Sequence, residues 1–153
     1  LRMPAQLINA AFAALIEIAE RCGKYSKRDL KIMRGIATEI AYSCVAYNGD
    51  LIIHKGSNPS GQNLTVYINC IDNSLQLRCA YFHLWPSTSK PLPFREVAAM
   101  MTYGDDVKGS VRKGYDWFNH ISYAQFLKER DIVFTMPDKE STPTKYMNDD
   151  DAD

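Results

Sequence analysis

Two adjacent carboxylates, Asp105 and Asp106, follow Tyr103 and Gly104 at a tight bend between two apolar, β-prone runs, residues 97–102 and 107–111. Gly104 gives the backbone freedom that a two-residue hairpin needs. A hairpin tip holds its two acids rigidly, which is how a protein presents hard oxygen ligands to a cation such as Mg²⁺. Two carboxylates about 5 Å apart repel by about 3 kcal/mol at an effective dielectric of about 20, and a divalent ion between them removes that conflict. Gly and Asp are also common turn residues, so these four positions taken alone read better as an ordinary polar turn.

A second constellation lies upstream. Gly56, Ser57, Asn58, Pro59, Ser60 and Gly61 form a small-residue loop ahead of a helix that carries Thr65 and Asn69 near its start. Such a loop, followed by free helix N–H groups, suits close contact with sugar or phosphate, although alone the signal is weak. Asp72 and Gln76 continue that polar stripe and are read as a solvated face. Lys139 taken alone reads as a solvated surface lysine. Lys108, Arg112 and Lys113 fit phosphate contacts or a solvated charged face equally well. Four cysteines, Cys22, Cys44, Cys70 and Cys79, lack zinc spacing and read as reduced thiols. His54, His83 and His120 show no ligand spacing and read as satisfied or exposed.

The elements that must position these residues follow from periodicity. Residues 4–21 predict a helix with Pro4 in its first turn and Gly23 as its stop. Leu7, Ile8, Ala11, Leu15, Ile18 and Ala19 would be its core stripe. A second helix starts at Ser26, with Asp29 completing a capping-box variant, and buries Leu30, Met33, Ile36, Ala37 and Ile40. Residues 42–47 and 51–53 predict a hairpin around Asn48-Gly49. Residues 62–84 predict a third helix with an apolar stripe of Leu64, Ile68, Ile71 and Leu75. A Pro- and Ser-rich connection spans 86–93, and the acidic hairpin follows. A helix is expected within 117–130 and a strand at 132–135. Residues from 140 onward are polar and expected to be loose.

The 153 residues suffice for one domain with a core, and 46% apolar, 24% charged and 11% aromatic residues is an ordinary globular composition. No run approaches a membrane span and no signal peptide is visible. Eighteen basic and eighteen acidic residues give zero net charge, which argues mildly against a nucleic-acid binder. Part of that balance comes from Asp149, Asp150, Asp151 and Asp153 at the C-terminus. The chain starts at Leu1 rather than Met, so it is expected to be a piece of something longer.

Taken in order, the motifs resemble the palm of a viral RNA-dependent RNA polymerase of the picornavirus-like order, including its marine, protist-infecting, marnavirus-type members. Gly56 to Gly61 with Thr65 and Asn69 resemble the nucleotide-selecting loop and helix. Tyr103-Gly104-Asp105-Asp106 resembles the metal-binding hairpin. Thr135-Met136-Pro137-Asp138-Lys139 resembles the strand-and-lysine motif. The resemblance covers nearly the whole chain, and the ordered combination is far more specific than any one part.

The resemblance implies an α+β fold: a partial palm of helices packed on a small antiparallel sheet with an acidic β-hairpin. Residues near 42–58 would be a short fingers-side segment. The first metal-binding strand, with its bridging aspartate, would lie just before Leu1 and is missing, as are the fingers and thumb. Asp105 then resembles the essential metal-binding aspartate and Asp106 its supporting neighbour. Ser60, Gly61, Thr65 and Asn69 resemble the ribose-sensing residues, and Lys139 the lysine that protonates departing pyrophosphate. The implied cofactor is Mg²⁺, two ions, with Mn²⁺ as a substitute. The implied partners are RNA template and primer, nucleoside triphosphates and the remainder of the polymerase chain, at replication complexes in the host cytoplasm. This piece alone is expected to be inactive, poorly stable and prone to associate through an open sheet edge. The rival readings are a non-catalytic palm-like RNA-binding module, and an unrelated α+β protein whose acidic turn binds Ca²⁺ or nothing. A reverse transcriptase is a closer cousin, but the spacing from Ser60 to Asp105 and the Asn69 match favour ribonucleotides.

Overall fold

Pro4 sits in extended backbone ahead of α1 (Ala5–Cys22), which Gly23 ends in the left-handed conformation at φ 70. Left-handed backbone at C′ is the usual helix stop, and glycine adopts it without steric cost. Ser26 caps α2 (Lys27–Ala41) and forms the expected reciprocal box with Asp29. The Ser26 hydroxyl, and after it the Ser26 N–H, donates to the Asp29 carboxylate and holds that carboxyl below its usual range. The strands β1 (Cys44–Tyr47) and β2 (Asp50–Ile53) pair antiparallel, with Val45 opposite Ile52. Asn48 at φ 49 and Gly49 at φ 91 supply the two positive φ angles of their turn.

The long helix α3 (Thr65–His83) comes next, then a single turn α4 (Phe94–Val97). The acidic hairpin is β3 (Ala98–Tyr103) and β4 (Asp106–Val111), and α5 (His120–Lys128) closes the sequence of elements. Asn119 caps α5 by accepting from the N–H groups of Ile121 and Ser122. The computed structural model describes residues 3–59, 61–136 and 139–147. Among the described residues, five helices and two two-stranded antiparallel sheets, β1-β2 and β3-β4, make the α+β architecture. No described helix is long and apolar enough to cross a membrane.

The chain divides into two units, residues 1–75 with 103–105, and residues 76–102 with 106–153. In the first, Met3, Ile8, Ala11, Phe12, Ala37, Ala41 and Ile68 form the apolar core. Leu7, Leu15, Ile40 and Ile71 flank it. The expected stripes drift at their ends. Ile18 is 65% exposed and Ile36 49%, while Phe12 and Ile16, absent from the expected stripe, are buried. A stripe read from spacing alone fixes a helix face only approximately, and the packed partner decides which edge of it is covered.

In the second unit, Tyr81 is fully buried and meets the rings of Phe94, Trp117 and Phe118 at centroid distances of 5.4, 5.6 and 5.7 Å. Its hydroxyl donates to the Leu92 carbonyl at 3.0 Å, the partner that a buried phenol needs. Residues 132–135 carry no strand. Ile132 and Phe134 still pack on the core while Val133 is exposed, so the alternation survives without a ladder partner among the described residues. Residues 140–147 have no regular secondary structure.

Two further expectations are corrected here. Asp72 and Gln76 do not form a solvated face, being 0% and 5% exposed. Among the described residues, neither Asp72 carboxylate oxygen has a hydrogen-bond partner, and burial pushes its pKa up to about 7. His120 is neither satisfied nor exposed, because its Nδ1 is buried without a partner among the described residues.

Candidate functional site

The loop before α3 is anchored at its entry by main-chain contacts. The N–H of Gly56 donates to the Ala41 carbonyl at 2.9 Å, and the N–H of Ser57 to the Met3 carbonyl at 2.8 Å. Gly56 takes φ 82, and a Cβ there would lie 2.3 Å from the Met3 carbonyl oxygen. Only glycine fits that crossing. Ser57 is itself left-handed at φ 62, so the chain reverses sharply into Asn58 and Pro59.

Polar side chains then lock the loop to the helix. Thr65 Oγ1 donates to the Pro59 carbonyl at 2.8 Å. Asn58 Nδ2 donates to the Thr65 carbonyl at 3.2 Å and to Asn69 Oδ1 at 2.9 Å. Gln62 Nε2 donates to Asn58 Oδ1 at 3.1 Å, and Gln62 Oε1 accepts the Leu64 N–H at 3.0 Å. Thr65 and Asn69 are therefore brought together on one helix face, both half-buried. Gly61 is exposed at φ 92 with open space around a notional Cβ, so its backbone conformation favours glycine while crowding does not. Ser60 lies outside the described residues.

The same helix face reaches the acidic turn. One residue past Asn69, the Cys70 sulfur accepts the Gly104 N–H at 3.1 Å. One helical turn past Asn69, Asn73 Nδ2 donates to the Gly104 carbonyl at 3.0 Å. Cys70 and Asn73 are three apart and so share a face, which lets them hold both peptide groups of one glycine. Gly104 itself takes φ 59, as the hairpin expectation required. Asp105 follows directly and is exposed, as is Asp106.

Sequence reading missed Asn58, Gln62, Cys70 and Asn73. A signal existed for one of them: Thr65, Asn69 and Asn73 recur every four residues, one helical column. The Gln62 contacts are local, to Asn58 and Leu64, but follow no helical or strand period, while Cys70 meets Gly104 from a distant part of the sequence.

Lys139 belongs to the second unit, where it is exposed and takes φ 61, its N–H donating to the Met136 carbonyl. Pro137 and Asp138 of the same motif lie outside the described residues. Arg112 and Lys113 are exposed and Lys108 half-buried. The thiols of Cys22, Cys44, Cys70 and Cys79 are all reduced.

Asp105 and Asp106 offer hard oxygen donors on an accessible turn, the donor chemistry that suits Mg²⁺. Among the described residues, no group of three or more His, Cys, Asp or Glu gathers in metal-binding geometry. A divalent ion held there would take its remaining oxygens from substrate, water or a further acid.

A family model for viral RNA-dependent RNA polymerase matches residues 2–149. The replicase polyprotein of Cricket paralysis virus is 32% identical over 125 residues, 78% of this chain and 7% of the relative. That of Drosophila C virus is 32% identical over 114 residues, 71% of this chain and 6% of the relative. The genome polyprotein of Deformed wing virus is 31% identical over 90 residues, 58% of this chain and 3% of the relative. The chain thus spans less than a tenth of the length of each of these polyproteins.

Proposed function

Because the chain belongs to the viral RNA-dependent RNA polymerase family, we propose that it supplies the ribonucleotide- and metal-binding part of an RNA-directed RNA polymerase. The reaction is template-directed transfer of a ribonucleotide to an RNA 3′-OH during viral genome replication. One observation carries this reading: one helix, α3, holds the small-residue loop through Thr65 and Asn69, which meet Pro59 and Asn58, and holds the acidic turn through Cys70 and Asn73. Sugar recognition and metal binding are thereby built on one rigid element, as positioning-dominated catalysis requires.

Each residue has a distinct task. Asp105, with Asp106 in support, would hold the divalent ion, Mg²⁺ or Mn²⁺, of a two-metal centre. When bound, that ion supplies charge neutralisation for the triphosphate and a lowered pKa for the attacking hydroxyl. Thr65 closes the loop onto the helix, and Asn69 meets the ribose. Ser60, Gly61 and Thr65 join Asn69 in sensing the ribose. Lys139 donates a proton to the departing pyrophosphate, a step that general acids accelerate by about 10²–10⁴-fold. Template and primer RNA, nucleoside triphosphates and the rest of the polymerase chain complete the assembly, in the host cytoplasm. This chain by itself incorporates no nucleotide.

The test is primer extension by the full-length polymerase carrying this segment, wild type against Asp105→Asn. Loss of incorporation in the variant, with RNA binding retained, is the expected result. Full activity in Asp105→Asn overturns the assignment. RNA binding insensitive to both Mg²⁺ and Asp105, with no incorporation by the wild type, makes the domain a binding module instead.

A further inference from the structure

The hydrogen bonds around Asn58 have a fixed sense, and that sense passes to Asn69. Side-chain amides can turn over, so their orientation must come from partners that cannot. Two main-chain groups provide it. The Leu64 N–H can only donate, so the atom of Gln62 facing it is Oε1. Gln62 then turns Nε2 toward Asn58, whose facing atom must be Oδ1. At the far end, the Thr65 carbonyl can only accept, so Asn58 faces it with Nδ2. The two ends agree. Asn58 Nδ2 therefore also faces Asn69, and the Asn69 atom receiving it is Oδ1. Asn69 thus turns Oδ1 inward to Asn58, and its Nδ2 is the end turned away, to serve as a donor.

We propose that Asn58, oriented by Gln62 and the Thr65 main chain, is a positioning residue that makes Asn69 a hydrogen-bond donor to the ribose 2′ oxygen, and so sets the preference for ribonucleotides over 2′-deoxyribonucleotides. The inference rests on the polymerase reading above and adds to it the direction of the contact. A site built to hydrogen-bond a hydroxyl discriminates against the analogue that lacks it, because its buried polar group is then left unpaired. Asn69 is half-buried, so water replaces the lost partner only in part. A wrongly turned Asn69 would show Oδ1 instead, and the 2′-OH would have to donate rather than accept.

Asn58→Asp reverses the sense. A carboxylate only accepts, so Asn69 turns Nδ2 inward to meet it and shows Oδ1 outward. Gln62→Glu reverses it from the other end, and Asn58→Ala leaves Asn69 unguided. The measurement is single-nucleotide incorporation by the full-length polymerase carrying this segment, with kcat/KM for ATP and for 2′-deoxy-ATP on one template. In Asn58→Asp the ratio of the two is expected to fall about fivefold to tenfold, the size of one neutral hydrogen bond, mostly through the ATP value. Gln62→Glu should move the ratio in the same direction, and Asn58→Ala by less. A merely structural role would slow both nucleotides alike and leave the ratio unchanged. An unchanged ratio in the variants that fold, with the wild-type melting temperature retained, overturns the proposal while leaving the polymerase reading intact. Absence of any incorporation by the wild type is the separate failure of that reading.

Discussion

Asn73 donates its side-chain Nδ2 to the main-chain carbonyl of Gly104 at 3.0 Å, joining two residues 31 positions apart in sequence. The Cys70 sulfur receives the N–H of the same glycine at 3.1 Å. The residue that precedes the two acids therefore has both of its peptide groups fixed by one helix. Removing a partner from a partly buried carbonyl costs about 1–3 kcal/mol. Here that cost would appear as misplacement of Asp105.

Asn73→Ala in the full-length polymerase should lower kcat about tenfold and raise the Mg²⁺ concentration needed for half-maximal rate. KM for the nucleotide should change little, since Asn69 and the loop remain in place. Steady-state kinetics across a Mg²⁺ titration checks both. A variant with normal Mg²⁺ dependence and normal kcat would show that the Gly104 contact does not position the turn.

Asp72 predicts a pH dependence of stability. Its carboxyl titrates near 3.8 when exposed and at about 7 in the fold, because burial disfavours the charged form. The folded chain then binds more protons than the unfolded chain between those values, so this residue lowers stability as pH rises from about 4 to about 7. The full penalty is on the order of 4 kcal/mol, at about 1.36 kcal/mol per pKa unit, and persists above pH 7. Asp72→Asn keeps the shape and removes the ionisation. It should raise the melting temperature at pH 8 by several degrees and change it little at pH 4. Thermal melts of both proteins at the two pH values measure it, and an equal shift at both would refute the assignment of the penalty to charge.

Much of the first unit was legible because its signals are local. Gly23 stops α1, Ser26 and Asp29 cap α2, and Asn48-Gly49 turns β1 into β2, each through groups a few residues apart. The acidic turn falls at the expected residues for the same reason. What escaped depends on contacts distant in sequence. Asp72 is read as solvent-facing because it is polar, yet it follows Ile68 by four residues, about one helical turn, and lies at the edge of the apolar stripe that the packing of α3 buries. Ile18 and Ile36 show the reverse error, since apolar letters at helical spacing do not say where the neighbouring helix stops. Residues 132–135 have strand composition, but a strand also requires a paired edge. Asn58 and Asn73 carry no local mark, because their meaning is a hydrogen bond to another part of the chain.

Gly56 gives a prediction about the loop that is independent of chemistry. Its φ of 82 and the 2.3 Å from a notional Cβ to the Met3 carbonyl oxygen leave no room for a side chain. Gly56→Ala should destabilise the first unit by about 1–3 kcal/mol from backbone strain, with steric overlap in addition. Gly61→Ala meets no atoms and should cost only the strain of its φ of 92. Denaturant melts should rank Gly56→Ala well below Gly61→Ala in midpoint. Equal midpoints would mean that the Met3 crossing does not hold the loop.

Lys139 separates proton donation from phosphate attraction. Lys139→Arg keeps a positive charge but offers a guanidinium that does not give up its proton, whereas Lys139→Leu removes both. If Lys139 acts as the general acid, both variants should lose about 10²-fold or more in kcat, since general acids contribute about 10²–10⁴-fold. Nucleotide KM should rise only in Lys139→Leu, because charge assists binding. If the lysine serves only as a phosphate partner, Lys139→Arg should retain most of the wild-type rate. Pre-steady-state incorporation distinguishes the two, as it isolates the chemical step from product release. An arginine variant at full speed would move Lys139 out of catalysis and into substrate attraction.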